Sequence, residues 1–123
     1  ANVDADYDPI ATIAVTAPMA GFVIVTGTVG LGIEGANTVG FARLRDTAAN
    51  PVATSPVLYT ASDSPAQATT LGPTYVFPVA VGARTFILEV QKGGPGTVHA
   101  FDGVISAIFV PFGSSGAATL EGE

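Results

Sequence analysis

The stretch Gly21-Phe22-Val23-Ile24-Val25-Thr26-Gly27-Thr28-Val29-Gly30-Leu31-Gly32-Ile33 decides among the architectures open to this chain. It ends a run, from Pro9 to Ile33, with no charged residue, long enough to cross a bilayer as a helix. Pro18 and the scattered Gly and Thr interrupt that reading. Beyond Gly27, Val29, Leu31 and Ile33 alternate with Thr28, Gly30 and Gly32, a period of two rather than 3.6. Phe22 to Val25 are apolar at every position, as in a strand covered on both faces. The residues in front are acidic where a secretory signal needs a positive n-region. The stretch therefore reads as a long β-strand, and neither a membrane span nor a signal peptide is expected.

The rest of the chain has the same texture. Fifteen Gly and nine Pro punctuate it, while Thr and Val fill the intervals. Further strands are expected over Ala11–Ala17, Val39–Arg45, Val57–Thr60 and Tyr75–Val81, and over Thr85–Gln91, Thr97–Asp102 and Val104–Phe112. Phe86, Leu88 and Val90 point inward in the Thr85–Gln91 strand, and Thr85, Glu89 and Gln91 outward. Pro78 has no N–H to donate, which places its strand at an edge or a bulge. Asp46–Pro51 and Ser62–Gln67 read as polar loops. Eight or nine short strands at this spacing predict an all-β, single-domain jelly-roll β-sandwich.

At 123 residues the chain has room for one ordinary core. With no Cys, disulfide frameworks and thiol chemistry are excluded. Four basic residues and a net charge of −6 exclude nucleic acid, whose binders make roughly 6–10 phosphate contacts. Asp4, Asp6, Asp8, Glu121 and Glu123 lie at the two ends, so residues 1–8 and 114–123 read as solvated tails around a domain of residues 9–113. Within that domain Glu34, Asp46, Asp63, Glu89 and Asp102 stand against Arg43, Arg45, Arg84 and Lys92. Charged residues are 11% of the chain, against roughly 25% in ordinary soluble domains. So sparse a covering implies surface buried between subunits.

No constellation promises catalysis. Gly30-Leu31-Gly32-Ile33-Glu34-Gly35 matches a dinucleotide fingerprint, but a strand follows it instead of a helix. Asp4-x-Asp6-x-Asp8 resembles the opening of a calcium loop, yet Pro9 and Val15 stand where that loop needs Gly and a carboxylate. His99, the single imidazole, and Asp102 have opposite parity on a strand and are expected on opposite faces. The central carboxylates are scattered, and there is no Trp for a sugar cleft. No enzyme activity, cofactor or metal is expected. Phe22, Ile24, Phe41, Phe77, Phe86, Phe101 and Phe109 are the candidates for core or subunit interface. Asp46, Asn50, Asp63 and Gln67 would be the recognition residues if the loops bind a ligand.

Pro18-Met19-Ala20-Gly21-Phe22, Val39–Arg45, Val79–Val90 and Ser106–Phe112, in that order, resemble the strand signatures of the tumour necrosis factor-like and complement globular-head superfamily. Two positions depart from it: Ala83 replaces an acidic residue, and Phe22 an expected Tyr. The resemblance implies a jelly roll that associates as a tight homotrimer through apolar, aromatic faces. The function expected is a structural module: a trimeric head, cap or decoration protein on a virion, fibre or cell surface. Its partner is itself, together with a capsid, fibre or surface protein. The alternative is an adhesion module in which the same trimer displays its loops to a receptor or glycan. Either function places it on a virion or extracellular surface.

Overall fold

The computed structural model describes residues 3–4, 6–47, 53–62 and 67–112. Among these are nine strands: β1 Asp8–Ala17, β2 Gly21–Glu34, β3 Thr38–Asp46, β4 Ala53–Thr54, β5 Leu58–Ser62, β6 Gln67–Leu71, β7 Thr74–Val79, β8 Gly82–Gly93 and β9 Thr97–Pro111. They form two antiparallel sheets, an all-β arrangement consistent with a β-sandwich. In one sheet β8 lies between β1 and β3, and β3 takes β5 and β4 along its other edge. In the other, β2 is the spine. It pairs with β9 along its whole length, and with β7 and β6 in turn along the opposite edge. We call these the β8 sheet and the β2 sheet.

The period of two places the core. On β2, Val23, Val25, Val29, Leu31 and Ile33 are buried; on β8, Phe86, Leu88 and Val90; on β3, Ala42 and Leu44. Phe77 and Phe86 meet across the sandwich, ring centroids 5.1 Å apart. The inward set of β8 is the one expected, but Glu89, expected outward in solvent, is buried on the outer face; Pro78 sits on β7, an edge strand, opposite Phe22. Another expectation is corrected here. Phe22 to Val25 are not covered on both sides, because Phe22 is exposed and Ile24 only half-buried while Val23 and Val25 fill the core.

Two further expectations give way. Thr97–Asp102 and Val104–Phe112 are one continuous strand, interrupted by a bulge rather than a break. Thr28 faces Val104 and Gly30 faces Phe101, so Asp102 and Gly103 together oppose the single residue Val29. Asp102 takes a left-handed conformation, φ 54°, and its side chain is exposed. Gly103 allows the close approach of β1, since a Cβ there would collide with the side chain of Ile10, itself the extra residue of a bulge between Pro9 and Ala11. The second is the loop expected over Ser62–Gln67: Ser62 ends β5 and Gln67 opens β6, a strand in a segment whose sequence has no alternation of apolar residues.

Val3 and Asp4, expected in a solvated tail, are held against the two sheets. Val3 is buried in the core, and its N–H donates to the Val98 carbonyl of β9 at 2.9 Å. The Asp4 carbonyl accepts from the Lys92 N–H of β8 at 2.8 Å. Two consecutive residues thus tie the two sheets together. Removing residues 1–7 is expected to lower the unfolding free energy by about 1.5–3 kcal/mol, the worth of burying one Val. Urea denaturation of the shortened chain checks this, and an unchanged midpoint would return the segment to the status of a tail. The C-terminal residues 114–123, also expected as a tail, lie outside the described residues.

Candidate functional site

The outer faces of the two sheets differ in kind. On the β2 sheet, antiparallel register sets side chains in rows across three strands. Pro78, Phe22 and Val110 form one row; Val76, Ile24 and Ile108 the next; Thr74, Thr26 and Ser106 the third. Ile108 is 64% exposed and Phe22 39%. Phe112 closes the end of the patch edge-on to Phe22, centroids 4.9 Å apart, and its N–H donates to the Ala20 carbonyl. No charged residue stands in these rows. The acidic residues and the imidazole on the strands of this sheet, Glu34, Asp102 and His99, lie toward its other end.

That other end is built on glycine. Gly30 and Gly32 leave a shallow trough, and the Phe101 ring lies in it, in the space a Cβ of Gly30 would need. Phe101 is still 44% exposed. His99, opposite Gly32, is exposed on the same face. Asp102 was expected on the opposite face from His99; the bulge removes it from the alternation, and both are exposed. Among the described residues no group of three or more His, Cys, Asp or Glu could hold a metal ion. Asp4 and Asp8 turn their carboxylates to their own segment, accepting from the N–H groups of Asp6 at 2.9 Å and Asp4 at 3.2 Å.

The outer face of the β8 sheet carries charge instead. Arg43 and Arg45, two apart on β3, project from the same face, and Glu89 of β8 stands in register with Arg43. The Nε of Arg43 donates to Glu89 Oε2 at 2.5 Å, and the Nε of Arg45 to Oε1 at 3.1 Å. The Glu89 side chain is only 3% exposed, those of the arginines 25% and 31%. Tyr7 covers Arg43, its ring centroid 3.8 Å from the guanidinium carbon. Burial pushes the Tyr7 hydroxyl above its ordinary range; Arg43 opposes that shift and Glu89 adds to it. Phe41 and the well-exposed Tyr59 lie one row away, centroids 6.4 Å apart.

The residues singled out in the sequence fall into three sets. Phe77 and Phe86 are core, and Phe109 packs against the core from within. Phe22, Ile24 and Phe101 lie on the outer face of the β2 sheet, and Phe41 on that of the β8 sheet. Asp46, expected on a displayed loop, instead ends β3 as a buried residue paired with Arg84. Asn50, Asp63 and the side chain of Gln67 lie outside the described residues. Val76, Val104, Ile108 and Val110 were not singled out, although their apolar alternation with Ile105, Ala107 and Phe109 is visible once the strand's phase is known. The chain matches no protein-family model and no curated protein.

Proposed function

We propose that this chain is a non-enzymatic assembly module that forms a homotrimer through the outer face of its β2 sheet. The observation that carries the reading is the uncharged patch of Phe22, Ile24, Val76, Ile108 and Val110 on that face. Exposed apolar surface of this continuity marks contact with another macromolecule, and a depleted charge count is the composition of a buried interface. A jelly roll is the topology proposed: β1 pairs with β8 and β2 with β7, one pair nested inside the other, as rolling up a long hairpin produces. Three copies is the number the resemblance to tumour necrosis factor-like and complement heads implies. A head, cap or decoration protein on a virion, fibre or cell surface is the corresponding role.

Light scattering tests this directly: a mass three times 12.3 kDa is expected. The Ile108→Asp variant places a carboxylate in the middle of the patch. It should be a folded monomer, because Ile108 is mostly exposed in the single chain and its loss leaves the core intact. A wild-type chain that stays monomeric at micromolar concentration would refute the assembly.

A further inference from the structure

We propose that Arg43 and Arg45, held by Glu89, form a clamp for a small oxyanion, a carboxylate or phosphate group, on the outer face of the β8 sheet. This face is on the opposite side of the sandwich from the proposed subunit contact, so the two readings stand or fall separately.

The arrangement has three parts. Each guanidinium spends its Nε on one oxygen of the same carboxylate. The four remaining N–H bonds of each guanidinium, on its two Nη atoms, donate to no described residue of the protein. Two planar forks thus stand side by side with one carboxylate between them. Planar forks of this kind pair with carboxylate and phosphate oxygens two at a time. The second part is rigidity. Glu89 is buried and fixes both arginines from below, while the Tyr7 ring fixes the Arg43 plane from the side. Side chains held in this way lose little entropy when a ligand arrives. The third part is charge. Two guanidiniums face the single carboxylate of Glu89, while Asp4, Asp6 and Asp8, in the same segment as Tyr7, keep their negative charge, with the carboxylates of Asp4 and Asp8 directed at backbone N–H groups of that segment; a ligand must therefore engage both forks to overcome their repulsion. A chain of net charge −6 repels extended polyanions, so the ligand that fits is compact.

Inorganic phosphate is the probe, titrated at constant ionic strength into the full chain with nitrogen-15-labelled arginine. The Nε–H resonances of Arg43 and Arg45 should shift together and saturate, with chloride at matched ionic strength giving no saturable shift. In the Arg45→Gln variant the Arg43 resonance should respond about tenfold more weakly. Arg45→Lys, which keeps the charge but not the fork, should also fall short of the wild type. If phosphate leaves both resonances unmoved, moves them no more than chloride does, or moves Arg43 equally in the Gln variant, the clamp is refuted.

Discussion

Phe86→Ala is expected to lower the unfolding free energy by about 3–5 kcal/mol. Phe86 is fully buried at the centre of β8, a strand flanked by β1 and β3, and its ring meets Phe77 of the opposite sheet. Its neighbours on both strands are held in register by backbone ladders, so they cannot collapse into the space left. Phe86→Leu keeps most of the volume and should cost about 1–2 kcal/mol. Urea denaturation at fixed protein concentration measures both, the concentration being held constant because association would contribute to the midpoint. A loss below 1 kcal/mol for the Ala variant would mean that the two sheets do not pack through this pair.

Glu89→Ala is expected to cost about 3 kcal/mol. The carboxylate is the shared counterion of two guanidiniums, and removing it leaves two like charges side by side with Tyr7 against one of them. A fully buried pair broken in this way costs roughly 3–5 kcal/mol, and the partial exposure of the arginines brings the value to the lower end. Arg43→Ala should cost less, because Glu89 keeps Arg45 as a partner. A Glu89→Ala midpoint equal to that of the wild type would show the three residues to be mutually screened by solvent, and Tyr7 to be packing on Arg43 for other reasons.

The β class was legible because two strands state it openly. Gly21–Glu34 and Gly82–Gly93 alternate large apolar residues with small or polar ones, and their core residues are those alternation picks out, Glu89 being buried instead on the outer face. The segment Gln67–Leu71 was illegible as a strand for a physical reason. It lies at an edge against the glycine-rich half of β2, where little side-chain packing is on offer, so it needs no apolar pattern. Val3 is one apolar residue among acids, and its burial follows from two long-range hydrogen bonds that no local pattern records. The arginine pair was visible as two residues of one parity on one strand. Glu89 as their counterion was not, because the register between β3 and β8 decides it and register is a property of the folded sheet. The apolar outer face was half visible. Phe22 and Ile24 showed an apolar surplus on β2, but its partners on β9 could not be assigned while the bulge was unknown.

That bulge makes β9 behave like a text with one change of reading frame. Before it the odd-numbered residues His99 and Phe101 face outward; after it the even-numbered Val104, Ser106, Ile108 and Val110 do. The strand therefore tolerates changes of letter far better than changes of length. Losing Gly103 alone would restore a regular ladder and bring Asp102 into line with Val29, setting a carboxylate among hydrocarbon. Losing both residues would turn Ser106 and Ile108 inward and Phe109 outward, exchanging the two sides of half the strand. Only the loss of Asp102, with Gly103 kept, leaves every remaining side chain on its own side. The spelling of this strand can drift under point mutation, while its letter count is nearly frozen.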